Sequence, residues 1–183
     1  MNLSVRRMVS MITDSDIQEF FYKIDQLDTG ERASLRREAG NVLWKAKGKA
    51  ISAFYRCKPM NVSVYQESQW FACACLRCLW DAGIEGNIPL EKVISQLVHS
   101  GDISNSVLHR VELLMDTQWD EDGYMIVKLT RLVKLIRQKS DRILIDFYSL
   151  LKDVCYWNSE SQNVQRKWAR TIFSTYTNNE KEE

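Results

Sequence analysis

Apolar residues recur along most of the chain three and four positions apart, the spacing of a helix buried along one side. Thr13, with Asp16 three residues on, reads as a helix N-cap, and Asp14 and Asp16 suit the positive end of the helix dipole. Ile17, Phe20, Phe21, Ile24 and Leu27 then mark an apolar face. Asp28-Thr29-Gly30 predicts the stop of that helix, a short helix follows over 31–39, and Gly40 suits its C-cap. Residues 41–65 carry only scattered anchors, Trp44, Ile51, Phe54 and Tyr55, with Gly48 expected to interrupt any helix and Pro59 to mark a break. From 66 to 80 the chain is nearly all apolar, which predicts a central helix buried on most sides.

A loop over 81–89 precedes a helix at 88–98, ended by Ser100-Gly101. Ser104 is placed to cap the next, which carries Val107, Leu108, Val111, Leu114 and Met115. The pattern over 124–138 puts Ile126, Leu129, Leu132, Val133 and Ile136 on one face. Ser140 is expected to cap a helix bearing Ile143, Leu144, Phe147, Leu150, Leu151 and Val154. Ser159 with Gln162 resembles a capping box before a last helix with Val164, Trp168, Ile172 and Phe173. No segment alternates with period two. The expected fold class is all-α, a bundle of roughly eight helices. Its expected parts are two helical subdomains, 13–100 and 101–177, and a polar tail over 178–183.

Composition supports this reading. The chain has 183 residues with only 7 Gly and 2 Pro, and 45% of its residues are hydrophobic. That excludes a collagen, a turn-dense β-sandwich and a disordered chain. No apolar run reaches the length of a membrane span, and Arg6-Arg7 is followed by too short an apolar stretch for a signal peptide. Five cysteines, three of them at Cys73, Cys75 and Cys78, suit reduced thiols in a cytoplasm better than a disulfide framework.

The net charge of +1 conceals segregation. Residues 32–58 sum to +7, residues 81–122 to −7, and residues 128–142 to +5. At about 100° per residue, Arg131, Lys134 and Arg137 lie opposite the apolar face of their helix, with no carboxylate among them. Arg166, Lys167 and Arg170 add a third basic cluster. Local cation clusters of this kind suit a phosphate backbone, because each neutralised phosphate releases condensed counterions.

Catalytic chemistry finds little support. The only histidines are His99 and His109, and no Gly-rich phosphate loop, GxSxG elbow or HExxH motif occurs. Cys73 and Cys75 point about 200° apart on a helix and cannot share a tetrahedral ion, so buried structural thiols are expected. Asp120, Glu121 and Asp122 lack the further spaced carboxylates of a cation loop and read as a solvated loop. No metal and no cofactor is expected. Trp70, Trp80 and Trp168 sit in apolar helical patterns and read as core; Trp44 and Trp119 stay open between core and base stacking.

Five blocks in series resemble the small-subunit (CasB) family of the type I-E CRISPR surveillance complex, Cascade. The run 27–37, LDTGERASLRR, is similar to the family's LdxGxRAxLRR, and Ala53-Phe54-Tyr55-Arg56 resembles its next block. Ser100-Gly101 followed by His109-Arg110-Val111-Glu112-Leu113-Leu114 is similar to SG…RRFxxLL. Leu129-Thr130-Arg131-Leu132-Val133-Lys134-Leu135 resembles LRRLVRLL, and the run 164–173, VQRKWARTIF, resembles VRRRWARDF.

The resemblance implies an all-helical, non-enzymatic protein whose partners are the other Cascade subunits, a second copy of itself, crRNA and the displaced strand of target DNA. It implies no membrane role. By position, Arg36, Arg37, Arg56, Arg110, Arg131, Lys134, Arg166 and Lys167 match basic positions of the family's blocks, with His109 and Thr130 standing where the family has arginine. Lys58, Lys128 and Arg137 join them as candidate nucleic-acid contacts because they extend the same charge clusters. Arg170 reads as structural, paired with a carboxylate. Two other classes fit the pattern less well: a helical interaction adaptor, and a helix-turn-helix regulator of duplex DNA.

Overall fold

The computed structural model describes residues 13–83, 86–102, 104–139 and 145–174. Among these residues the chain folds as nine α-helices and a short 3-10 turn at Leu43–Lys45. The helices are α1 (Asp14–Gln26), α2 (Thr29–Arg37), α3 (Gly48–Cys57), α4 (Glu67–Arg77), α5 (Leu90–His99), α6 (Asn105–Met115), α7 (Tyr124–Lys139), α8 (Phe147–Cys155) and α9 (Asn163–Phe173). The only extended pairing among the described residues is a single bridge between Ile88 and Ile145. The all-α class is therefore the observed one.

The start of α1 is the capping box read from the sequence. The Thr13 hydroxyl accepts from the Asp16 amide, and the Asp16 carboxylate accepts from the Thr13 amide at 2.9 Å. α1 ends at Gln26, just before Asp28-Thr29-Gly30 as expected, and Asp28 also caps α2, which begins at Thr29 rather than at 31. The Asp28 carboxylate accepts from the Glu31 amide at 2.8 Å, and Glu31 reaches back to the Asp28 amide. Only Leu27 and Asp28 separate the two helices, so the turn signal belongs to both. Gly48 opens α3 rather than interrupting it, at a first-turn position where the missing side chain costs little.

Further along, Ser104 occupies the N-cap position of α6, but its hydroxyl meets that of Ser106 and not a backbone amide. Asp146 caps α8, through the Ser149 amide at 3.0 Å; the expected cap Ser140, with Ile143 and Leu144, lies outside the described residues. The expected Ser159–Gln162 box does not form. Gln162 is itself the N-cap residue of α9, at φ 49°, and makes no side-chain cap bond.

Buried apolar residues from all nine helices' neighbourhoods join in one cluster. The central helix α4 is buried from Trp70 to Arg77, as expected for the apolar run. It packs against α2 and α8, and α5 packs against α9, so contacts run between the two halves of the sequence. Phe20 of α1 meets Trp70 edge-on at 4.8 Å and Phe54 of α3 at 6.3 Å. Trp157 and Trp168 cross at 5.3 Å.

The cysteines are free, and Cys73, Cys75 and Cys78 are buried as expected. Burial pushes the Cys73 and Cys75 thiols well up, Cys78 to about 11 and Cys155 to about 12. No helix among the described residues is long and apolar enough to cross a membrane.

Candidate nucleic-acid interface

Two contacts locate the basic stripe of α7, one to the segment just past α2 and one to the segment just past α4. Gly40, just past α2 at φ 104°, lies so close to α7 that a Cβ there would sit 3.6 Å from Thr130 Cγ2. Further along α7, the Arg137 guanidinium lies over the Trp80 ring, 5.8 Å from its centroid. Thr130, Lys134 and Arg137 follow i, i+4, i+7 spacing, so they share one stripe of the helix. That stripe therefore borders α2's end at Thr130 and the end of α4 at Arg137. Arg131, a third of a turn away, faces outward.

The platform beneath is held by buried charge. Arg32 donates to the Ile24 carbonyl at 2.9 Å, to Asp25 at 3.0 Å and to the Trp80 carbonyl at 2.8 Å. Arg77 takes the other oxygen of Asp25 at 2.7 Å and the Asp81 carbonyl at 2.9 Å. One carboxylate thus serves two guanidiniums, tying the ends of α1, α2 and α4 together. A buried group of this kind is stable only because nearly every donor has a partner.

The candidate cations divide by what they touch. Arg36, Arg37, Arg131, Lys134, Arg137, Arg110 and Arg166 are exposed, and none of them pairs with a carboxylate among the described residues. Arg37 makes a 3.2 Å bond to the Ser34 hydroxyl within its own helix. By contrast, Lys58 is largely buried between Glu67 at 3.2 Å and the Val62 carbonyl at 3.2 Å. Lys128 donates to Thr117 Oγ1 at 2.6 Å and to the Leu113 carbonyl at 3.2 Å, which fastens α7 to α6. Arg56 is paired with Glu31.

Lys167 reaches both oxygens of Asp153 at 2.7 Å and Glu91 at 3.3 Å, and joins α5, α8 and α9. The carboxylate expected beside Arg170 is beside Lys167 instead; Arg170 is exposed. No hydrogen bond or ion pair among the described residues links Arg110 on α6 or Arg166 on α9 to Arg36, Arg37, Arg131, Lys134 or Arg137.

Two features escaped the sequence reading. Lys45, Lys47 and Lys49, in the stretch from the end of α2 into the start of α3, are all exposed, and Lys45 lies over the Trp44 ring. The +7 charge block contained the signal for them. Trp44 is 68% exposed, whereas Trp119 is buried, with its indole N–H on the Ser68 hydroxyl at 3.2 Å.

The acidic loop has a local structural use: Asp120 accepts from the Gly123 amide at 2.7 Å and the Tyr124 amide at 3.3 Å, at the start of α7. Among the described residues no three His, Cys, Asp or Glu side chains gather as a metal site.

The molecule is an all-helical protein with exposed cations at the end of α2 and along α7. Its sequence matches the profile of the CRISPR-associated protein Cse2 family over residues 31–173, and the chain belongs to that family. Among solved structures it is similar to the crystal structure of CasB from M. ruber, with a TM-score of 0.71 and 24% identity over 92% of this chain and 98% of that one. A chain of a CRISPR RNA-guided surveillance complex matches with a TM-score of 0.69 and 21% identity, over 92% and 99% of the two chains. CasB from Thermus thermophilus matches with a TM-score of 0.69 and 21% identity, over 89% and 99%. No curated protein matches the sequence.

Proposed function

We propose that this chain is a non-catalytic small subunit of a type I-E CRISPR surveillance complex, and that its α2–α7 seam holds nucleic acid, above all the displaced non-target DNA strand. The observation that carries this reading is the row of exposed, carboxylate-free cations Arg36, Arg37, Arg131, Lys134 and Arg137 on a rigid support. The match to a chain of a surveillance complex supports the setting. In that setting the partners are the other subunits, a second copy of this chain and crRNA, in the cytoplasm.

The physical role follows from a near-balance. An R-loop replaces one duplex by another of similar stability, so modest contacts to the displaced strand shift the equilibrium. Lys and Arg bound to its phosphates oppose reannealing without reading sequence. Arg36, Arg37, Arg131 and Lys134 supply such charges; Lys58, Lys128 and Lys167 hold the fold.

The test is the fourfold variant Arg36→Ala, Arg37→Ala, Arg131→Ala, Lys134→Ala in the reconstituted complex. R-loop lifetime should fall, and the log–log salt dependence of strand binding should flatten by about 0.7 for each phosphate that is no longer neutralised. A wild-type lifetime and salt slope in a folded variant refute the reading.

A further inference from the structure

Opposite in character to the basic seam is a groove of about 660 Å³ lined by Trp44, Val64, Tyr65, Glu67, Asp120 and Glu121 among others. We propose that it docks an arginine- or lysine-bearing segment of another protein subunit. This proposal rests on the assembly into a multi-subunit complex proposed above, and adds a contact surface to it.

The apolar surface is unusual for a free face. Trp44 is 68% exposed, Val64 73% and Tyr65 71%, side by side along one groove. Grouped exposed aromatics of this kind mark interaction sites, where single ones do not. The Trp44 ring is oriented from one edge, since its Nε1 donates to the Glu121 carbonyl at 3.3 Å. Its π face already attracts an ammonium: Lys45 Nζ lies 4.5 Å from the ring centroid. A cation over an indole is the strongest form of this attraction.

Charge decides which ligand suits the groove. Glu67 is taken by Lys58 and by the Tyr55 hydroxyl, and Asp120 by two amides at the start of α7. Glu121 is exposed, and no cation among the described residues pairs with it. It stands at the end of the −7 stretch. An approaching phosphate backbone meets that carboxylate with like charge, whereas a guanidinium or ammonium that takes the place of the exposed Lys45 ammonium on the Trp44 ring finds an aromatic face and a counter-charge together. Arginine and tryptophan are also among the residues most enriched in the energetic centres of protein interfaces.

The experiment places the photoreactive residue p-benzoylphenylalanine at Val64 in the full chain, co-expressed and purified with the CRISPR subunits and crRNA. Ultraviolet light should link it to a segment of a different protein subunit that carries Arg or Lys within a few residues of the link. Adding Trp44→Ala or Glu121→Lys should cut the yield about tenfold, equivalent to about 1.4 kcal/mol of binding. Both side chains are exposed, and a wild-type melting curve verifies that each variant folds. A link to RNA or DNA, to a second copy of this chain or to a segment without a cation overturns the proposal. So does co-purification with no link at all. Failure to co-purify removes the assembly reading and this one together, whereas an intact link with lost strand binding in the fourfold seam variant removes only the nucleic-acid role.

Discussion

Replacing Lys167 with Met separates a structural cation from one that binds nucleic acid. Lys167 sits at the junction of α5, α8 and α9 with its ammonium 2.7 Å from Asp153 and 3.3 Å from Glu91. The Lys167 side chain is 43% exposed, against 11% for Asp153 and 5% for Glu91. Removing one partner of a buried ion group costs about 3–5 kcal/mol, because the remaining charge is left uncompensated. Solvent reaches almost half of Lys167, so we discount that figure to about 2 kcal/mol. Asp153 keeps the Trp168 indole N–H at 2.8 Å, which limits the loss further. For a chain of this size about 2 kcal/mol lowers Tm by about 4–8 °C.

The pH dependence has a definite sign. Burial works against the charged Lys167, but the hydrogen bond and charge of Asp153, with Glu91, outweigh it and raise its pKa above the usual 10.5. A group raised on folding contributes stability that is complete below its unfolded pKa and is lost as pH rises through the folded one. The difference between wild type and Lys167→Met should therefore be constant from pH 7 to about 9 and shrink above about 10.5. Urea denaturation across that range, beside strand binding at several salt concentrations, tests the argument. A variant with unchanged stability and a flatter salt slope would show that Lys167 serves phosphate rather than the fold.

Two further outcomes are expected. Gly123→Ala should destabilise by about 2–3 kcal/mol in urea, combining positive φ with overpacking, since Gly123 has φ 85° and its new Cβ would meet Val42 Cγ1 at 2.6 Å. A thiol reagent at pH 8 should leave Cys73, Cys75 and Cys78 unmodified in the folded chain and react with all five cysteines once it is unfolded, read by mass spectrometry; rapid native labelling of Cys75 would contradict its burial.

Much of the fold was legible because the relevant information was local. The apolar period located α1, α4, α6 and α7, and Thr13 with Asp16 located a cap, since each depends on residues within one or two turns. The misread positions involve competition between neighbours. The start of α2 reads two residues late because a turn and an N-cap use the same residue types, and Gly48 reads as a breaker because its cost depends on where in a helix it falls.

The candidate site divides in the same way. Facing direction along α7 follows from helical geometry, so Arg131 and Lys134 could be placed outside. What Lys58, Lys128 and Lys167 touch is set by Glu67, Thr117, Asp153 and Glu91, which arrive from other parts of the chain. Charge counted along the sequence therefore overstates the charge presented to solvent. Within the +7 stretch, Arg32, Arg56 and Lys58 are each already matched to a carboxylate of the same molecule.

Trp80 is gripped twice, by Arg32 at its carbonyl and by Arg137 across its ring. It thereby ties Arg32 of α2 to Arg137 of α7 before any ligand arrives. A flexible strand must adapt its path to that arrangement, while the protein gives up little freedom of its own on binding. On the proposed function, the seam would act less like a grasping hand than like a ruled edge, against which a disordered polymer is straightened.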